Sequence, residues 1–190
     1  MELLIKPLSP EILDDWVYFF EEIGFADNPA WSGCFCRFYH FPGSIQEWET
    51  QSKDDNKKAS IDLIRRGKMH GFLAYSDKKP VGWCNVNSRE NYAKELYEDD
   101  SPDSINKKIA GIVCFLIAHT ERRQGISRNL LKHTIAYYKK MEYDIIESYP
   151  RTGNLSDAHS YRGPVSLYES EGFTIHKEFE NFLIMRKELK

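Results

Sequence analysis

Hydrophobic and polar positions follow two periods along the 190-residue chain, helical at the start and largely strand-like afterwards. Ser9-Pro10-Glu11 reads as an N-cap with proline at the first helical position. Ile12, Leu13, Trp16, Val17, Phe20 and Ile23 then fall on one face, and Gly24 closes the helix. Ser44-Ile45-Gln46-Glu47 has capping-box spacing and predicts a second helix. A third apolar stripe, Ala59, Leu63 and Ile64, runs to a stop at Gly67. Residues of about 8–67 thus form a helical N-terminal part with an aromatic loop inside it.

The period changes at Gly71. The runs Gly71–Tyr75 and Pro80–Val86, joined by Ser76-Asp77-Lys78-Lys79, predict a β-hairpin. A polar stretch from Asn87 to Lys108 precedes Ala110–Ile117, which is too short and too β-branched for a helix and reads as a buried central strand. After Gly125 the positions Ile126, Leu130, Leu131, Thr134, Tyr138 and Met141 return to helical spacing. Asp144–Tyr149 is a further strand, Val165–Ser170 a short helix ended by Gly172, and Phe173–Ile175 with Phe182–Met185 a closing strand pair. The expectation is one mixed α/β domain over residues 1–190, with a core of about 71–190.

Charge and cysteine usage narrow the function classes. A net charge of −3 and a pI near 6.1 argue against a nucleic-acid binder. There is no apolar run of about 18 residues and no signal-peptide pattern, so a cytoplasmic chain without a membrane partner is expected. The four cysteines, Cys34, Cys36, Cys84 and Cys114, are expected to be reduced. Cys34-Phe35-Cys36 with His40 falls short of structural-zinc spacing, and no metal is expected.

The segment from Arg122 to Arg128 carries the chemistry. Between a strand and a helix, Arg122, Arg123, Gln124, Gly125, Ile126, Ser127 and Arg128 offer backbone N–H groups at a helix N-terminus, a glycine without a Cβ, a small hydroxyl residue and three cations. These suit a phosphate, although the Gly-Lys-Ser/Thr ending of a P-loop is absent. About 40 residues later comes Leu167-Tyr168-Glu169-Ser170-Glu171-Gly172-Phe173.

In these two motifs, and in their order, the chain from Gly71 to its C-terminus resembles the GCN5-related N-acetyltransferase (GNAT) superfamily. That signature is an Arg/Gln-x-x-Gly-x-Gly/Ala loop after the fourth strand followed by a later Leu-Tyr-x-x-x-Gly-Phe. Arg122 and Gly125 match it, and Ser127 replaces the usual Gly or Ala. The resemblance implies a mostly antiparallel mixed sheet flanked by helices and split near the fourth and fifth strands. It implies acetyl-CoA as cofactor, with pantetheine against the strand end at Phe115, Leu116 and Ile117 and pyrophosphate on the amides from Arg123 to Arg128. Tyr168 matches the tyrosine that donates a proton to the departing thiolate. Tyr161 stands where relatives have a pantetheine-binding asparagine, and Asn154 is the candidate to replace it.

Transfer to an amine needs the amine neutral, and the central strand lacks the glutamate that serves as base in many relatives. Glu147 on the next strand, acting directly or through water, and His119 are the candidates. The acceptor is an unidentified amine of a small molecule or peptide, and the protein a monomer or homodimer. Glu90, Glu95, Glu98, Asp99, Asp100 and Asp103 would suit a cationic acceptor, or form a solvated loop. Trp31, Phe35, Phe38, Tyr39 and Phe41 line the acceptor pocket or belong to the core, and Asn85 is a candidate acceptor contact. A catalytically silent acyl-CoA sensor is the alternative function.

Overall fold

The computed structural model describes residues 3–94, 97 and 101–190. Within them one seven-stranded sheet forms: β1 (Leu4–Pro7), β2 (Gly71–Ser76), β3 (Lys79–Ser88), β4 (Ile109–Ile117), β5 (Ile145–Ser148), β6 (Thr174–Glu178) and β7 (Leu183–Glu188), in the order β1-β2-β3-β4-β5-β7-β6. Every neighbouring pair is antiparallel except β4 and β5. The helices are α1 (Leu13–Tyr18), α2 (Ile45–Glu49), α3 (Lys53–Arg65), α4 (Ile126–Lys140) and α5 (Val165–Glu169).

Strand alternation divides the core between the two faces of the sheet. Phe72, Cys84 and Ile112 pack with Ile126, Leu130 and Leu131 of α4 and Leu167 of α5. Leu73, Trp83 and Leu116 point the other way, onto Trp16, Phe20, Phe35 and Ile64 of the N-terminal part. Burying each such large side chain contributes about 1.5–3 kcal/mol, so both layers are held by the same spacing that marks them in the sequence.

Local signals held where they were strong. Ser44 and Glu47 form the reciprocal capping box, with Glu47 N–H donating to Ser44 Oγ at 3.2 Å and Ser44 N–H to Glu47 Oε2 at 2.7 Å. The β2–β3 hairpin turns on Asp77 and Lys78, at φ 47° and 66°, as a two-residue loop with both central residues left-handed. The edge strand β1 was not expected, since four residues ending in proline are too few for a periodic signal.

The first helix also differs from its sequence pattern. It begins as a 3₁₀ turn at Pro10–Ile12 and ends as a π turn at Phe19–Ile23, where Gly24 N–H reaches back to Phe19 C=O at 2.7 Å. Gly24 is there for closeness rather than a left-handed turn, because a Cβ would stand 2.6 Å from Leu116 Cδ2 of β4. The N-terminal part is thereby seated directly on the strand that ends at the cleft.

The parallel pairing of β4 and β5 runs only from Ile109–Ile145 to Ile112–Ser148. Beyond it β4 stays with β3 as far as Ile117, while the chain after β5 follows β7 through Leu183 N–H to Pro150 C=O and the Arg151–Phe182 bridge. The sheet therefore splits between its fourth and fifth strands.

Candidate active site

A cleft of about 1090 Å³ starts at this split. One end is the loop between β4 and α4, the floor is Cys114–Ile117, and the far wall is Trp31, Phe38, Tyr39 and Trp48.

The loop end is built for an anion. Gly125 sits at φ 80°, a conformation that places the first turn of α4 facing the cleft, and a Cβ there would meet nothing nearer than Asn129 Nδ2 at 3.9 Å. The first helical backbone bond is Asn129 N–H to Gly125 C=O, and no side chain among the described residues caps the preceding amides. Uncapped amides at a 15-residue helix carry partial positive charge into the cleft, so the residues present fit a pyrophosphate. Ile126 is buried beneath and anchors the turn, whereas Ser127 and Arg128 line the cleft.

The arginines do not act alike. Arg122 makes a two-pronged bond to Asp27, at 2.6 and 3.0 Å, and its Nε donates to Ile117 C=O at 3.3 Å. It ties the loop to the N-terminal part and holds the Asp27 carboxyl below its ordinary pKa, first through this hydrogen bond. Arg123 is largely exposed and meets Asp157 at 2.6 Å, and Arg128 approaches Glu171 at 3.9 Å. Gln124 points away, donating to Thr120 C=O and Glu121. His119 lies outside the cleft wall, with Nδ1 3.5 Å from Asp27.

The middle of the cleft is crossed by the chain after β5. Phe115 N–H, on the open side of β4, donates to Tyr161 C=O, and Tyr168 O–H donates to Arg162 C=O. Gly163, at φ 80°, lies over the Tyr168 hydroxyl, where a Cβ would come within 3.0 Å. Residues 161–163 thus stand between the edge of β4 and Tyr168. The Phe115 amide therefore has a partner in this structure, and Tyr168 is fully buried behind the cleft. Burial also raises the Tyr168 phenol well above its ordinary pKa. Asn154 lines an adjoining hollow of about 600 Å³ that shares Gly163 and Pro164 with the cleft.

Glu147 is elsewhere. Fully buried, it accepts from Arg186 Nε at 2.6 Å, Tyr97 and Tyr149 hydroxyls at 2.8 Å each, and Arg89 at 3.2 Å. Its two oxygens are occupied by donors from the segment after β3, from β7 and from the chain beyond β5, and it does not line the cleft. The sequence signal for this was the pair of arginines, but nothing local linked them to position 147.

The aromatic segment divides. Trp31, Phe38 and Tyr39 line the cleft, whereas Phe35 is in the core with Trp16 and Phe20, and Phe41 packs on Trp48. Trp48 joins the wall through its edge contact with Phe38 at 5.3 Å, a role its place in a short amphipathic helix did not announce. Asn85 is buried beneath Cys36 and His40, within reach of neither cleft surface. Of the acidic stretch, Glu95, Glu98, Asp99 and Asp100 lie outside the described residues, and Glu90 is exposed beside Ser88.

The acetyltransferase (GNAT) family matches residues 31–163, which spans the far wall, the split and the loop between β4 and α4. The chain belongs to this family. Solved structures agree in fold along the whole length. An N-acetyltransferase from Staphylococcus aureus Mu50 aligns at TM-score 0.59 and 14% identity over 100% of both chains. PaiA N-acetyltransferase from Thermoplasma acidophilum, in complex with coenzyme A, aligns at 0.58 and 17% over 99% of both. The ribosomal-protein-S18-alanine N-acetyltransferase from Escherichia coli aligns at 0.52 and 17%, over 100% of this chain and 95% of that one. No curated protein sequence matches the chain. Among the described residues no group of three or more His, Cys, Asp or Glu side chains is placed to hold a metal, and no helix is long and apolar enough to cross a membrane.

Proposed function

We propose that this GNAT protein moves an acetyl group from acetyl-CoA to an amine of a small molecule or peptide, by direct attack with both bound. One observation carries the reading: a single cleft joins the uncapped amides of α4 to an aromatic wall, past the open edge of β4. Acetyl-CoA supplies the activated acyl group. The amides from Arg123 to Arg128 hold its pyrophosphate, with Arg128 and Arg123 adding charge and Arg122 keeping the loop in place. The edge of β4 at Phe115–Ile117 receives the pantetheine arm once Tyr161 gives up the Phe115 amide. The same yielding of residues 161–163 frees the Tyr168 hydroxyl from Arg162 C=O, so that it can protonate the leaving thiolate. The acceptor enters between Trp31 and Trp48.

A second reading, an acyl-CoA sensor without turnover, is favoured by the engagement of Glu147 with two guanidiniums and two phenols and by the absence of a carboxylate on β4. Thiol release from acetyl-CoA, followed colorimetrically across a panel of alkyl amines, aryl amines and peptides, separates the two. Amine-dependent release supports transfer. Calorimetric binding of acetyl-CoA with no release on any amine establishes the sensor, and no binding removes both readings.

A further inference from the structure

Behind the aromatic wall, three sulfurs meet where no part of the transfer reaction needs them. Cys34 and Cys114 are half-buried and line the cleft, and Cys36 lies just beneath. The turn that carries them is strained: Phe35 and Cys36, neither of them glycine, both adopt the left-handed conformation, at φ 43° and 51°. Such geometry costs roughly 1–2 kcal/mol per residue and survives only when its surroundings enforce it. Here the enforcement is aimed at one atom. Asn85, fully buried on β3, sends its amide to Cys36 Sγ at 3.2 Å and to Cys36 C=O at 3.3 Å. Cys114, on the floor strand, is the cross-strand partner of Asn85, which sets its side chain on the same face of the sheet and in the same cluster as Cys36.

We propose that Cys36 and Cys114 form a modification site for hydroperoxides, with Cys36 as the attacked sulfur and Cys114 as the thiol that resolves it into a disulfide. A donor held against a sulfur favours its thiolate, the form that attacks peroxide. Burial opposes ionisation of Cys36, yet hydrogen bonding from its neighbours, Asn85 among them, holds its thiol below the ordinary value. Its neighbours go the other way: burial and then Cys36 itself push Cys34 up to about 12, and the bond to Cys36 followed by burial raises Cys114. Of the three thiols, Cys36 is therefore the one that ionises most readily.

The chemistry balances with one hydroperoxide. The Cys36 thiolate attacks the peroxide, the O–O bond breaks, an S–O bond forms, and hydroxide or alkoxide leaves. Sulfur is oxidised by two electrons and the peroxide reduced by two. Cys114 sulfur then displaces the sulfenic hydroxyl, which leaves as water with the Cys114 proton, and an S–S bond closes. Hydrogen peroxide is small enough to enter from the cleft past Cys114, which is half-buried in its floor, to Cys36 beneath. The product would clamp the 34–36 turn to β4.

The test is native protein exposed to hydrogen peroxide, quenched by alkylation under denaturing conditions and digested with trypsin without reduction. The expected product is a single cross-link between the peptides carrying Cys36 and Cys114, lighter by two hydrogens and abolished by reductant. Cys34→Ser should keep the cross-link, Cys36→Ser should lose it, and Asn85→Ala should slow its formation by about tenfold with circular dichroism unchanged. Cys34 and Cys36 share one tryptic peptide, so fragment ions that locate the bonded sulfur and the alkylated one settle the wild-type mapping even where a variant fails to fold, and a Cys34–Cys114 link would also overturn the assignment. A Cys34–Cys36 link, oxidation of Cys114 alone, an unmodified cluster, or a wild-type rate in folded Asn85→Ala would overturn the assignment.

Discussion

Changing Glu147 to Gln separates a fastening carboxylate from a catalytic one. The substitution keeps the side chain's shape and removes the charge that faces Arg186, whose side chain is 7% exposed, and Arg89, at 26%. Breaking a buried ion pair from one side costs about 3–5 kcal/mol, because the remaining cation stays desolvated and uncompensated. For a domain of this length each kcal/mol lowers Tm by roughly 2–4 °C, so Glu147→Gln should unfold roughly 6–20 °C below the wild type. Arg186→Met alone should cost a similar amount. The double variant should lose clearly less than the sum, by about 1–3 kcal/mol, with Arg89 preventing full recovery. Thermal and urea unfolding give these numbers, and thiol release measured well below Tm gives turnover per folded molecule, expected within about threefold of wild type. An unchanged Tm together with a hundredfold fall in turnover would refute the argument and return Glu147 to the role of base.

Gly125→Val should abolish acetyl-CoA binding in calorimetry, since a β-branched residue resists φ 80° and covers the helix amides, while Gly125→Ala should retain weakened binding; wild-type affinity in folded Gly125→Val would remove the phosphate assignment. Tyr168→Phe should lower kcat by about 10²-fold with little change in acetyl-CoA affinity, and an unchanged chemical step would make it a packing residue. His40, buried between Asn85 and Tyr92 with His70 nearby, has its pKa lowered to about 4, first by burial. The folded state then binds fewer protons than the unfolded one between about pH 6.5 and 4. Stability contributed by neutral His40 should fall as pH drops through that window, by roughly 3 kcal/mol in all, and His40→Gln should flatten the fall in urea titrations. A slope there identical to wild type would contradict it.

What the sequence disclosed follows the range of the forces involved. The hairpin at Asp77-Lys78, the capping box of Ser44 and Glu47, and the strand–loop–helix around Gly125 are set by neighbours within a few residues, and each was legible. The destinations of charges were not. Arg122 is bound to Asp27, 95 positions away, and Glu147 to Arg89 and Arg186, 58 and 39 positions distant, separations at which no local pattern links the partners. The aromatic segment shows the same limit. Phe35 and Phe38 are alike in sequence, and only the left-handed turn at Phe35 and Cys36 sends one to the core and the other to the cleft. Tyr168 was identifiable as a motif residue, yet the chain that covers its hydroxyl carries no pattern that predicts it.

The bond between Asp27 and Arg122 has a thermodynamic meaning. Asp27 belongs to the segment that leads to Trp31, and Arg122 to the loop that opens α4, so whatever fills one end of the cleft acts on a residue fastened to the other. Linkage then makes the effect mutual: the factor by which an acceptor alters acetyl-CoA affinity equals the factor by which acetyl-CoA alters acceptor affinity. Both side chains are partly exposed, at 24% and 17%, which limits the bond to about 1 kcal/mol and the factor to roughly fivefold. Asp27→Asn should therefore leave each ligand able to bind alone while making the two affinities independent, so that the order of addition no longer matters to the measured constants.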